Sequence, residues 1–231
     1  MDEPFDVASV QVTLVAAASA DGKISTRDGA GPRFASARDK ALLRRLRGET
    51  DAVVLGAGTV ANDDPAFRLR ETVRAERRKR GQWETPIRAV ISGRASVSPE
   101  ARLFHGHRSP SVVFVAEGAD EGRRAALASV AAVYICERER VDVREMVAVL
   151  GREYGVRRLL VEGGAEVNAS FVEAGLVDEV YLTVCPVLIG GAQVPTPVGG
   201  HGLEFERILR LLLLEVRAED GEVFLHYRVE R

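Results

Sequence analysis

The sequence predicts an α/β fold with a mixed sheet. Three observations carry that prediction. Short β-branched runs alternate with helical stretches along the body, several strands run straight into glycine-bearing turns, and the chain ends on two strand-like runs around Asp220-Gly221. Residues 10–17 read as a buried strand. Ser36 then stands where an N-cap belongs, before a helix to Arg47 with Leu42, Leu43 and Leu46 on one face. Residues 51–56, 87–91 and 111–116 read as strands. Residues 120–129 read as a helix, 132–135 as a short strand, and 141–153 as a helix with Met146, Val149 and Leu150 apolar. A strand at 158–162 enters Gly163-Gly164. A helix at 165–174 closes on Gly175, a strand follows at 178–184, and Pro186 to Ile189 reads as a strand before the glycine pair Gly190-Gly191. The runs 207–216 and 222–229 around Asp-Gly make an antiparallel hairpin. No stretch breaks the alternation, so residues 1–231 read as a single domain. Residues 70–80, rich in Arg and Lys, read as an exposed helix or loop.

Composition excludes several functions. A net charge of −2 on 231 residues offers no global field for nucleic acid, and 6% aromatics leave few stacking platforms. No run of 18 apolar residues exists, as a membrane span needs, and the acidic start lacks the basic region of a signal peptide. Two distant cysteines, Cys136 and Cys185, fit a reducing cytoplasm better than a disulfide scaffold. Only three of the 32 basic residues are lysine, namely Lys23, Lys40 and Lys79. An Arg-rich, GC-biased genome explains that better than thermal adaptation does.

Four segments can carry chemistry. In Ser19-Ala-Asp-Gly-Lys23, a lysine follows a strand end, where α/β sheets bind ligands; a plain Asp-Gly turn with an exposed lysine is the bland reading. Leu55-Gly-Ala-Gly-Thr59, with Asp63-Asp64 after it, lets backbone N–H groups and a hydroxyl hold an anion, but it lacks the spacing of a full dinucleotide fingerprint. Glu162-Gly163-Gly164-Ala165-Glu166 joins a strand to a helix start, where a pyrophosphate can approach the backbone and Glu162 points toward a ligand; a tight turn with Glu162 exposed explains it equally well. The fourth segment, 186–191, says only that the chain turns. Asp63-Asp64 and the His105/His107 pair lack further ligands, so no metal is expected. Zinc-deaminase, G-x-S-x-G and Walker patterns are absent.

Taken together and in this order, the segments resemble the riboflavin-biosynthesis pyrimidine reductases, in stand-alone form or as the reductase half of the bifunctional deaminase–reductase. The matching stretches are 18–24, 51–59 with Asp63-Asp-Pro65, 160–164, and 175–179 leading to 186–191. The resemblance implies a dihydrofolate-reductase-like fold, a cytoplasmic homodimer and no deaminase domain. It implies NADPH-dependent reduction of a phosphoribosylaminopyrimidine, in its 2,5-diamino-pyrimidinone or 5-amino-uracil form, to the ribitylamino product. Hydride from the nicotinamide would reach C1′ of the ring-opened ribose. By resemblance, Ala17, Thr59, Asp63, Ser92 and the run Gly163, Gly164, Ala165, Glu166, Val167 and Asn168 hold NADPH. Arg47, Phe67, Arg70 and Glu162 meet the substrate, two arginines suiting a phosphate. Lys23 and Glu162 are the candidate catalytic pair.

Three features depart from the family pattern. Gly31 and Arg33 replace a serine and a tryptophan, Gly199-Gly200 replaces an Asp-Gly, and Glu166 puts a carboxylate at a helix start beside the expected phosphates. Arg33 would offset Glu166 if it met a 2′-phosphate. Other readings are a reductase of a pterin or dihydrofolate-like ring, a non-catalytic nucleotide-binding regulator, and an RNA-binding patch at 74–80.

Overall fold

The computed structural model describes residues 5–29, 31 and 34–230, so Arg33 lies outside it. Among the described residues nine strands form a mixed sheet in the order β5-β4-β3-β2-β6-β1-β7-β9-β8. They are β1 (Gln11–Ser19), β2 (Ala52–Gly56), β3 (Ile87–Ile91), β4 (Ser111–Ala116), β5 (Ala132–Cys136), β6 (Arg158–Gly163), β7 (Glu179–Cys185), β8 (Leu211–Glu219) and β9 (Glu222–Val229). The helices are α1 (Ala37–Glu49), α2 (Ala57–Asp63), α3 (Glu71–Lys79), α4 (Glu121–Ala128), α5 (Val143–Tyr154) and α6 (Ala165–Glu173). The chain divides into two compact units, one holding Leu46–Leu160 and the chain up to Gln11, the other Val12–Arg45 and the chain from Val161.

In the first unit β2, β3, β4 and β5 run parallel, with Val53 opposite Arg88 and Val90 opposite Val113. Every residue of β2 and β4 is buried. That explains their continuous Val-rich runs, because parallel strands are covered on both faces. Asp142 caps α5 through the Arg144 amide and Gly155 closes it with a left-handed turn. Met146, Val147 and Leu150 are fully buried on its inner face. Asp51 joins two turns by accepting from the Arg157 and Arg158 amides at 3.0 and 2.9 Å.

The segment 70–80 is a helix, as one of its two readings had it, but it is not wholly exposed. Arg77 is fully buried. Its Nη1 donates to the carbonyls of Arg47, Gly48 and Thr50, and its Nε to that of Trp83. Among its neighbours, Arg74 and Arg78 pair with Glu71 and Glu84, and Lys79 pairs with Glu76. Three carboxylates thus offset about half of the local positive charge on the helix and the following turn.

In the second unit β1 and β7 are parallel, with Ala17 opposite Thr183, and β7, β9 and β8 are antiparallel. The hairpin turn falls at Asp220-Gly221, with φ of 52° and 82°, as a type I′ turn demands. The first hairpin strand begins at Leu211 rather than 207, because residues 205–207 form a short 3-10 turn. Ser36 caps α1, its Oγ accepting from the amides of Arg38 and Asp39 at 3.0 and 3.2 Å. A cap of this kind stabilises a helix by about 1 kcal/mol.

Candidate functional site

The strand-end residues of the second unit are held by a web of backbone bonds. After β1 the chain folds back so that the Ser19 amide donates to the Lys23 carbonyl at 2.8 Å, and the Ser19 hydroxyl accepts from the Lys23 amide. That hydroxyl donates to Asp21 at 2.7 Å. Asp21 also accepts from the amides of Ile189 and Gly190, at 3.0 and 2.6 Å. These bonds hold the carboxyl at a pKa of about 2, the Ser19 hydroxyl first among the causes. Asp21 is therefore a tie between two of the four segments, a role its place in an Asp-Gly turn does not announce. The same bonds correct the strand expected at 186–189. β7 ends at Cys185, and beyond it the Ile189 and Gly190 amides go to a carboxylate instead of a ladder.

Lys23 is half-buried. Its ammonium donates to the Val194 carbonyl at 3.1 Å, and the Ile24 amide donates to the Pro195 carbonyl. Ala17 is buried two residues before the end of β1. Glu162 is half-buried near the end of β6. Gly163 follows with φ of 90°, where a Cβ would lie 3.2 Å from the Asn168 amide, so only glycine fits. The Gly163-Gly164 peptide is cis. Gly164 is the N-cap of α6 and brings no capping side chain, which leaves the first amides of the helix to other acceptors. Asn168 is buried in the first turns of α6. Its Nδ2 donates to the Pro197 carbonyl at 2.7 Å, while its Oδ1 has no partner. Ala165 is half-buried and Val167 buried in the same turn. Glu166 is exposed and accepts from the Gly200 amide at 3.2 Å, so its carboxylate is directed to the Gly199-Gly200 turn.

In the first unit, β2 delivers its chain into α2, where Thr59 is half-buried and Asp63 exposed. Ser92, after β3, is buried and its hydroxyl accepts from the Val97 amide at 3.1 Å. Arg47, in the last turn of α1, lies over the buried ring of Phe67 at 4.2 Å from its centroid. Arg70 is exposed and is the N-cap of α3. His107 is held to a pKa of about 4 by burial and by the nearby Arg88 and Arg68. Arg88 is itself buried among Thr85, Ser109 and Ser111, with its pKa lowered to about 10 by desolvation. Sequence reasoning missed Asp21 and Arg77; the buried arginine left no signal in a segment dominated by exposed charge.

The RibD C-terminal domain family matches residues 10–225. The chain belongs to that family. It is 35% identical to a 2,5-diamino-6-ribosylamino-4(3H)-pyrimidinone 5′-phosphate reductase of Archaeoglobus fulgidus, over 90% of this chain and 92% of that one. It is 33% identical to the Methanothermobacter thermautotrophicus protein of the same name, over 95% and 98% of the two chains. A crystal structure of a pyrimidine reductase-like protein from Corynebacterium diphtheriae superposes with a TM-score of 0.82 at 21% identity, covering 98% and 96% of the chains. The mixed sheet with its antiparallel C-terminal strands is the dihydrofolate-reductase-like fold of this reductase family.

Proposed function

We propose that the 231 residues act as one reductase domain of riboflavin biosynthesis. It reduces a phosphoribosylaminopyrimidine to its ribitylamino product with NADPH. The observation that carries this reading is the turn Gly163-Gly164. It brings two side-chain-free residues and the uncapped start of α6 directly behind Glu162, as anion binding at a helix N-terminus requires. The buried Asn168 Oδ1, without a partner, adds an acceptor for a ligand donor in the same turn.

Gly163 to Asn168 would hold the cofactor phosphates, and the family resemblance adds Ala17, Thr59, Asp63 and Ser92 as cofactor residues. Glu166 would contribute through its backbone, its carboxylate being engaged by Gly200. Bound NADPH supplies the reducing equivalent. The protein's part is placement and charge control. Arg47 and Arg70 would hold the substrate phosphate, Arg47 being set in direction by Phe67. Glu162 would meet the opened sugar, and Lys23 would deliver or steer the proton that accompanies reduction. The Val194 carbonyl holds the Lys23 ammonium in place. The phosphate arginines favour this substrate over a pterin-like ring, which has no phosphate to bind.

A cytoplasmic homodimer is part of the same proposal. Both cysteines are free and buried, and the edge strand β8 exposes Leu211, Leu212, Leu213 and Leu214. No helix among the described residues is long and apolar enough to cross a membrane.

The test is loss of NADPH absorbance with each phosphoribosylaminopyrimidine. Turnover of one or both is expected, and oxidation with neither would sink the reading. Lys23→Ala is expected to lower kcat strongly with little change in the KM for NADPH; near-normal turnover would remove Lys23 from the proton role.

A further inference from the structure

Residues 186–204 form neither helix nor strand, so the shape of this stretch comes from what it is bonded to. Within it, Val194 to Gly200 is a strap fastened from two sides. Lys23 Nζ donates to the Val194 carbonyl at 3.1 Å, and the Ile24 amide to that of Pro195 at 3.0 Å. Asn168 Nδ2 donates to the Pro197 carbonyl at 2.7 Å. The Gly199 amide donates to the Ala165 carbonyl at 3.0 Å, and the Gly200 amide to Glu166 Oε1 at 3.2 Å. One end of the strap thus belongs to Lys23 and the other to the first turn of α6. All of these residues lie in the second unit.

The α6 end is built for close approach. A Cβ on Gly199 would lie 2.7 Å from Glu166 Oε1 and 3.1 Å from Ala165 Cβ. One on Gly200 would lie 2.7 Å from Glu173 Oε1 and 2.9 Å from Ala169 Cβ. Two departures from the family pattern, Glu166 and Gly199, are therefore one fitting, because an aspartate at 199 would press a second carboxylate on Glu166. Between the two ends, Pro195 and Pro197 fix their own φ angles, so a displacement at α6 is passed along the strap instead of being absorbed.

We propose that Glu166 is a positioning residue that acts on Lys23 through this strap. The inference rests on the reductase reading, in which Lys23 serves the substrate and the start of α6 serves the cofactor. Glu166 pins Gly200, Asn168 and Ala165 hold the strap against α6, and the Val194 carbonyl then fixes where the Lys23 ammonium stands. Whatever orders the first turn of α6 also orders Lys23, and the coupling is reciprocal.

The first readout needs no cofactor. It is amide exchange at Ile24, whose N–H is given to Pro195, in the full chain. Glu166→Ala is expected to speed that exchange by about tenfold, as loss of an anchor opens the strap locally. Glu166→Gln keeps an oxygen for the Gly200 amide and drops the charge, so it should restore most of the protection. Gly199→Ala, whose Cβ crowds Ala165, should speed the same amide. The second readout is turnover. Glu166→Ala should lower kcat by about tenfold, with little change in the KM for the pyrimidine, because Lys23 is misplaced and not lost. Faster exchange confined to residues 165–170 and 199–200 would overturn the assignment. So would Glu166→Gln behaving as Glu166→Ala does, or a normal kcat in Glu166→Ala. Wild-type turnover of neither phosphoribosylaminopyrimidine takes down the reductase reading and Glu166 with it, whereas turnover with an undisturbed Ile24 amide takes down Glu166 alone.

Discussion

The Arg47 guanidinium lies 4.2 Å from the centroid of the Phe67 ring, and that ring is 1% exposed. Helix α1 supplies the cation and the segment between α2 and α3 supplies the ring. A cation–π contact of this kind is worth about 0.5–2 kcal/mol, enough to choose one direction for a long side chain. The expected consequence is that Phe67 acts on substrate through Arg47. Phe67→Leu should raise the KM for the phosphorylated substrate a few fold, and Arg47→Ala should raise it more. A substrate lacking the phosphate should respond to neither change. If Phe67→Leu lowers only thermal stability and leaves that KM where it was, the ring is packing and nothing more.

Asp21 should give a pH signature. Its folded pKa of about 2 lies below the ordinary carboxyl value of 3.8. For a depressed carboxyl, the stabilisation is fully present above the unfolded pKa and is lost as pH falls through the folded one. Asp21→Asn is therefore expected to lower the thermal midpoint at neutral pH, and the gap between variant and wild type should close as pH drops from about 4 toward 2. Amide exchange at Ile189 and Gly190 should speed up in the variant. A gap that stays constant over that range would mean the Asp21 charge does not tie down the 186–191 loop.

Much of the fold is legible because its physics is local. β3 and β4 span the residues 87–91 and 111–116 that read as strands, Asp120 and Asp142 cap helices as short polar residues should, and Asp220-Gly221 turns the hairpin. The failures are non-local. Residues 186–189 have the composition of a strand, yet the Ile189 and Gly190 amides are taken by Asp21, which is distant in sequence. Arg77 looks like its exposed neighbours, but it meets four carbonyls from other parts of the chain. The candidate residues could be named through resemblance. Their partners could not, since Lys23 with Val194 and Asn168 with Pro197 join residues far apart in the chain.

Arg77 should be the most costly arginine to replace in α3. Its guanidinium gathers carbonyls at the end of α1 and from Trp83, between 2.6 and 3.2 Å. Arg77→Met would leave several buried acceptors unpaired, at about 1–3 kcal/mol each before relaxation. A net destabilisation of about 2–4 kcal/mol in urea unfolding is expected. Arg78→Ala, on the exposed side, should cost far less than Arg77→Met. The single tryptophan, Trp83, supplies one of the acceptors, so its fluorescence should report the change. Equal costs for the two variants would contradict the buried role.

Strand β8 bears on the assembly. Leu211, Leu212, Leu213 and Val216 are 43%, 46%, 48% and 59% exposed on the last strand of the sheet. Stable monomers blunt such edges with charge, proline or a covering segment, because an apolar edge with open backbone groups recruits another strand. A second copy covers it most economically, since a two-fold pairing presents the same patch on both sides and closes the assembly. The chain is therefore expected to run as a dimer in size exclusion with light scattering. Leu212→Lys combined with Leu213→Lys is expected to yield a monomer whose far-ultraviolet circular dichroism is unchanged. A wild-type chain that stays monomeric as its concentration is raised would rule out β8 as a self-association surface.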